Sequence, residues 1–120
     1  MGIRRALSKQ TEQAIKAGRL LPDMNFDQRV WTVTSRIPRG KVATYAQVAR
    51  ALKSTAYRAV GMALNRNPYA PQVPCHRVIG SSGKLVGYAG GLAQKRAMLE
   101  KEGVVLLDDK VDLSHCACRL

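Results

Sequence analysis

Acidic residues are scarce: 8 Asp and Glu stand against 20 Lys and Arg in 120 residues, a formal net charge of +12. None lies between Asp27 and Glu100, a stretch that carries Arg29, Arg36, Arg39, Lys41, Arg50, Lys53, Arg58, Arg66, Arg77, Lys84, Lys95 and Arg96. Such a chain expects a polyanion as its partner. Composition alone leaves nucleic acid, an anionic membrane surface and an acidic protein open as that partner. Cysteine is rare and odd in number, with Cys75 alone and Cys116 and Cys118 one residue apart. No disulfide framework can be built from these three. No apolar run approaches a membrane span, and the start, broken by Arg4, Arg5, Lys9 and Lys16, lacks the apolar region of a secretory signal. Glu12 and the want of a cleavage pattern argue against an organelle-targeting segment, so a reducing intracellular compartment is expected. Internal repeats and low-complexity tracts are also missing. The length leaves room for one domain and none for a separate cofactor domain. With 46% apolar residues, that domain can bury a core without disulfides or a structural metal.

What is present divides the chain into a basic arm over residues 1–24, a domain over 25–105 and a tail over 106–120. Asn25 with Gln28 forms a capping box ahead of Phe26, Val30 and Val33 at helical spacing, which predicts a helix over about residues 26–35. Pro38-Arg39-Gly40 is turn chemistry. Thr44 with Gln47 repeats the capping box and opens a short second helix carrying Val48, Ala49 and Leu52 inward. Ser54 or Thr55 is placed to cap a third helix over about residues 56–65. Two short helices on so tight a link read as helix-turn-helix. The third, with Ala59, Gly61 and Ala63 small and Arg58 projecting, has the make-up of a recognition helix, although an alanine-rich core helix would look the same. After the loop that begins at Asn67-Pro68, Val73–Ile79 mixes β-branched and polar residues, Gly80–Gly83 turns the chain, and Lys84–Val86 is expected as a short return strand. Gly87-Tyr88-Ala89-Gly90-Gly91 opens a last helix over about residues 92–102, with Gly103 as its stop.

Cys75 stands between Pro74 and His76-Arg77 in a basic stretch, where positive charge or an imidazole favours thiolate over thiol. That makes it a candidate nucleophile. The opposing reading is a small buried cysteine beside a surface histidine. Neighbours along an extended strand face opposite ways, so His76 would act on Cys75 only through a turn or a bridging water.

Arg58-Ala59-Val60-Gly61, Asn67-Pro68, Pro74-Cys75-His76-Arg77-Val78, Gly87-Tyr88-Ala89-Gly90-Gly91 and Glu102-Gly103 resemble, in order and spacing, the C-terminal domain of O6-alkylguanine-DNA alkyltransferases. Five separated motifs in register are far more specific than any one. The resemblance covers about residues 26–103. It implies a mainly α, winged helix-turn-helix-like single domain with a short β-hairpin. It implies a repair protein, associated with DNA, that flips O6-alkylguanine from the duplex and transfers the alkyl group irreversibly to Cys75. His76 would then act as base through a water, Glu102 would orient it, and Asn67 would link the recognition helix to the active-site loop. Arg58 would fill the gap left by the flipped nucleotide, and Tyr45 would press on the adjacent phosphate. Thr44, Ala59, Gly61 and Arg77 would complete a DNA surface laid in the minor groove. Tyr88, Ala89, Val78 and Pro74 would line the lesion pocket, with Tyr88 donating toward the leaving guanine.

The partners expected are double-stranded DNA containing O6-alkylguanine and undamaged DNA held non-specifically. No membrane, cofactor or metal is expected, and the chain is expected to act as a monomer. The family pattern is departed from in three places. Its usual N-terminal domain has no counterpart in the residues ahead of Phe26, Tyr57 stands where a small residue is usual, and Ala89 stands where some relatives carry serine. The short chain also resembles alkyltransferase-like proteins, which bind such lesions without repairing them, so a lesion-binding sensor is the alternative. Those proteins replace the cysteine, and here Cys75 is present. A metal site from Cys75, His76, His115, Cys116 and Cys118 is disfavoured, because adjacent Cys-His and a terminal Cys-x-Cys suit tetrahedral zinc poorly.

Overall fold

The computed structural model describes residues 2–88, 90–108, 110–118 and 120; for residues 2–8, 115 and 116 only the backbone is described. The capping boxes form as the sequence predicts. Asn25 Oδ1 accepts from the Gln28 N–H at 2.9 Å while Gln28 Oε1 accepts from the Asn25 N–H at 3.0 Å, opening α2 (Phe26–Thr34). Thr44 and Gln47 repeat this at 3.1 and 2.8 Å, opening α3 (Tyr45–Ala51) directly after the two-residue strand β1 (Ala43–Thr44). A short link then leads to α4 (Tyr57–Asn65), which starts without a side-chain cap. Ser54, expected there as the cap, accepts instead from the Ala56 N–H at 3.0 Å and closes the link itself.

Helices α2, α3 and α4 enclose the main core. Val30 and Val33, Val48 and Ala49, and Val60, Ala63 and Leu64 meet there with Ile37, Ala43 and Val78, all buried. Trp31 ties α2 to the end of α4, its indole N–H donating to the Ala63 carbonyl at 2.7 Å. The helix-turn-helix is therefore rigidly backed, and its α4 carries both buried and exposed residues.

Three sequence expectations take a different form. The stretch expected as an arm carries helix α1 (Gly2–Lys16), which buries Ala14 and Ile15; its charges attract notice, whereas this apolar pair does the packing. The return strand at Lys84–Val86 does not pair with Val78-Ile79. Strand β2 (Val78–Ile79) lies parallel to β1, and Lys84 bridges to Lys110. The 106–120 segment, expected as a tail, supplies the antiparallel hairpin of β3 (Leu106–Leu107) and β4 (Lys110–Val111) and then α6 (Leu113–Cys116). Its end docks through the Cys118 N–H, which donates to the Val42 carbonyl at 2.8 Å. Val42, Ile79, Leu85, Leu99, Val104 and Val111 form a second core beneath α5 (Leu92–Lys101). The fold is thus mainly helical with small sheets. Among the described residues no helix is long and apolar enough to cross a membrane.

Candidate active site

The chain from Asn67 to Val78 is shaped by backbone hydrogen bonds and one amide side chain. Asn67 Nδ2 donates to the Val73 carbonyl at 2.9 Å, and its Oδ1 accepts from the Tyr69 N–H at 2.9 Å. This joins the end of α4 to the residues ahead of Cys75. The Cys75 N–H donates to the Val73 carbonyl at 2.8 Å, and Cys75–Arg77 then form a single 3-10 turn ending at β2. The turn removes the strict face alternation of a strand, so Cys75 stays half-buried while its neighbour His76 points inward and is 2% exposed.

His76 Nε2 lies 2.9 Å from Glu102 Oε2. Glu102 follows α5 directly, where Gly103 with φ +87° ends the helix as the sequence predicts. A carboxylate is unfavourable at a helix C-terminus. Arg77 compensates with a two-pronged grip, Nε to Oε1 at 2.9 Å and Nη2 to Oε2 at 2.7 Å, while its Nη1 donates to the Ile37 carbonyl at 2.7 Å. Burial pushes the Glu102 carboxyl upward, but hydrogen bonds from Arg77 and His76, with their charges, outweigh it and hold the pKa at about 2. Glu102 is therefore ionised and can only accept, which assigns the proton between the two side chains to His76 Nε2. Burial lowers the His76 pKa below its usual value, and Glu102 only partly offsets this. The ring is neutral at pH 7, with its lone pair on Nδ1. That atom is buried and has no hydrogen-bond partner among the described residues. A buried, correctly oriented imidazole with an unengaged lone pair is what a general base requires.

The same carboxylate governs acid stability. Its pKa is about 2 in the fold against an ordinary 4.5, so its contribution is complete above pH 4.5 and is lost as pH falls from 4.5 through 2. Glu102→Gln is expected to flatten that limb of a plot of Tm against pH, and an unchanged limb would assign the acid sensitivity to other groups.

Three further side chains converge on Cys75. Tyr88 and Tyr45 have pKa values raised first by burial and then by the cysteine's charge, and the Tyr88 hydroxyl donates to Met98 Sδ at 3.4 Å. Tyr45 is held by its hydroxyl, which donates to the Val86 carbonyl at 2.9 Å. The third, Lys95, is absent from the sequence-based set. It is fully buried, donates to the Val78 and Val86 carbonyls at 2.6 and 2.9 Å, and lies 5.8 Å from the Tyr45 ring centroid. Burial lowers its pKa to about 8 against the opposing pull of Cys75. A lysine three residues beyond the start of a helix rich in polar residues gives no sequence signal of such burial.

Arg58 is exposed on α4, and with Tyr45, Tyr57, Gly61, Val86 and Gly87 it lines an apolar recess of about 310 Å³. Glycine matters at Gly87 because its φ of +54° lies in the left-handed region that side chains rarely adopt. Some expected residues lie elsewhere. Arg77, expected on the DNA surface, is bound to Glu102 and Ile37. Thr44 is 8% exposed and uses its hydroxyl as a helix cap, and Val78 belongs to the core. Pro74 is buried ahead of the turn. Ala89 lies outside the described residues. Among the described residues no three metal-ligating side chains gather, and the side chains of His115 and Cys116 lie outside that set.

Residues 25–104 match the sequence model of the 6-O-methylguanine DNA methyltransferase, DNA binding domain. The methylated-DNA--protein-cysteine methyltransferases of Methanosarcina barkeri and Mycobacterium tuberculosis are each 52% identical over 79 residues, 65% of this chain but 50% and 48% of theirs. The chain thus spans about half the length of these curated relatives. The fold is similar to Mycobacterium tuberculosis OGT in complex with DNA, with TM-score 0.64 and 44% identity over 79% of this chain and 65% of that one. It is also similar to S. pombe Atl1 in complex with damaged DNA containing O6-carboxymethylguanine, with TM-score 0.70 and 30% identity over 81% of this chain and 100% of that one. With the site's cysteine, histidine and glutamate in place and two thirds of its length matched, the chain belongs to the family of the 6-O-methylguanine DNA methyltransferase DNA-binding domain.

Proposed function

We propose that this chain repairs DNA by moving the alkyl group of O6-alkylguanine onto the sulfur of Cys75, once per molecule. The observation that carries this reading is His76, next to Cys75 in the 3-10 turn, anchored through Nε2 by an ionised Glu102 and with a buried Nδ1 that has no partner among the described residues. The thiol proton passes through a water to His76 Nδ1, and the thiolate attacks the alkyl carbon. A carbon–sulfur bond forms, the bond from that carbon to O6 breaks, and its electron pair stays on O6. Guanine takes up a proton as it leaves, and the donor assigned in this reading is the Tyr88 hydroxyl, which bonds Met98 Sδ in the free protein. The thioether is stable, so no second turnover follows. In a titration against duplex containing O6-methylguanine, guanine restored is expected to plateau at one per protein molecule, and continued turnover would overturn the reading.

The reacting carbon is out of reach inside a duplex, so the nucleotide must first leave the stack. Arg58, Ala59 and Gly61 on α4 suit a helix that enters the minor groove closely, with Arg58 filling the gap and Tyr45 beside the phosphate. Arg58→Ala is expected to slow repair in duplex about tenfold or more while leaving reaction with free O6-benzylguanine unchanged, because only the duplex needs a base flipped. Equal slowing of both would remove that role. Affinity for undamaged duplex is expected to fall with salt, with a log–log slope of about −0.9 per phosphate contacted, whereas a flat response would contradict electrostatic binding.

A second reading is supported by the likeness to Atl1, which extends over the whole of that chain. In it the protein binds the alkylated base and signals its presence without transfer. The intact set of Cys75, His76 and Glu102 favours transfer.

A further inference from the structure

Helix α1 precedes the family-matched residues 25–104, and the chemistry above makes no use of it. It nevertheless grips the strip of chain that delivers Cys75. Ala14 and Ile15, both fully buried, share one apolar cluster with Met24 and Val73, and Leu20, Leu21, Trp31 and Tyr69 close around it. Lys16 Nζ stands 5.4 Å from the Tyr69 ring centroid. Trp31 meets the same ring edge-on, with centroids 5.8 Å apart.

The two loop residues in this cluster, Tyr69 and Val73, are the same two whose backbones Asn67 holds. They also bond each other, the Val73 N–H donating to the Tyr69 carbonyl at 3.0 Å, and the Val73 carbonyl accepts the Cys75 N–H at 2.8 Å. The loop is thus gripped twice at one pair of residues, by hydrogen bonds to the backbone from the end of α4 and by apolar packing on the side chains from α1. Hydrogen bonds among Asn67, Tyr69 and Val73 fix the loop's internal shape. They do not themselves tie the loop to the helices packed beneath it. A fully buried, β-branched Val73, packed in the same cluster as Ile15, resists movement of the loop, because a packed interior leaves no space to move into.

We propose that Ile15 of α1 is a positioning residue for Cys75, holding Val73, and through it the sulfur, at the height where His76 and the flipped nucleotide can both be reached. This inference rests on the transfer reaction proposed above. Displacements on the order of 1 Å at a reacting group can cost about 100-fold in rate, so a side chain remote from the substrate can act through placement alone.

The test uses the full chain and the variants Ile15→Ala, Ile15→Val, Asn67→Ala and the double variant Ile15→Ala with Asn67→Ala, each assayed well below its own Tm. The saturated single-turnover rate on O6-methylguanine duplex and the Kd for that duplex are measured separately. Ile15→Ala is expected to slow the saturated step about tenfold with Kd within about twofold of wild type, and Ile15→Val is expected to recover most of the rate. Because both grips act on Tyr69 and Val73, the double variant is expected to lose less than the product of the single losses. An unchanged saturated rate in folded Ile15→Ala, a loss confined to Kd, or fully multiplicative losses would overturn the proposal. Should Ile15→Ala fail to fold, Ile15→Val, slowed about twofold to threefold at unchanged Kd, carries the test. Alkylation of Cys75 by iodoacetamide, followed by peptide mass, is expected to change in rate in the same variants. It is independent of lesion chemistry, so a wild-type protein that binds the lesion without transfer would remove the proposed function while this readout still decides the role of Ile15.

Discussion

Exchange of Cys75 for serine is expected to abolish alkyl transfer while leaving affinity for O6-methylguanine duplex within about twofold of wild type. A thiol is an acid that an imidazole can deprotonate, whereas a serine hydroxyl is too weak an acid for that base. Binding is expected to survive because the groups proposed to meet DNA sit on α4 and at Tyr45, and the oxygen-for-sulfur change at a half-buried position leaves the Val73–Arg77 backbone bonds in place. Transfer followed by mass and binding followed by gel shift separate the two quantities. A matching loss of both would make Cys75 a structural residue.

His76→Gln is expected to slow single-turnover transfer by roughly 100-fold or more, the range that removal of a positioned general base produces. Glutamine can keep a hydrogen bond to Glu102, so Arg77 and the turn at Cys75–Arg77 stay placed, but it has no basic lone pair. The pH dependence sharpens the test. Burial lowers the His76 pKa, so the wild-type rate is expected to hold as pH falls toward 6.5 and to drop only below it, whereas the variant should lack that drop. A loss under about threefold, or a variant with the wild-type pH profile, would take proton transfer away from His76.

The parts of the fold legible in the sequence are those set by short-range rules. Both capping boxes, the helices they open, the stop at Gly103 and the tight link of the helix-turn-helix follow from residues at most a few positions apart. What is not legible depends on contacts distant in sequence. Val78-Ile79 could pair with any neighbour, and it pairs with Ala43-Thr44, 35 positions away. The 106–120 segment reads as a tail because its hairpin is two residues a side, too short for an alternating pattern to register. Helix α1 is hidden by its charges, since among its residues with described side chains only Ala14 and Ile15 are buried.

The site shows the same division. The adjacency of Cys75 and His76 suggests a pair, and an extended strand would turn them apart; the 3-10 turn resolves that conflict in a way no local propensity announces. Arg77 reads as one more surface cation in a basic stretch. Its grip on Glu102 exists only because the end of α5 and the turn after Pro74 meet in space. Lys95 likewise counts toward net charge in the sequence, yet its ammonium is wrapped by the Val78 and Val86 carbonyls and faces Cys75. The count of 20 Lys and Arg therefore overstates the cations free to meet a polyanion, since Arg66 also pairs with Asp27 at 2.7 Å and Arg77 with Glu102.

The most direct test of the central claim is the mass of the protein after mixing with a duplex that contains one O6-methylguanine, followed by peptide mapping, with Cys75→Ser alongside. The account predicts one added methyl group, located on Cys75 in the wild-type protein and absent from the variant. No mass change in a protein that binds the lesion tightly, or a methyl group on Cys116 or Cys118 instead, would contradict it.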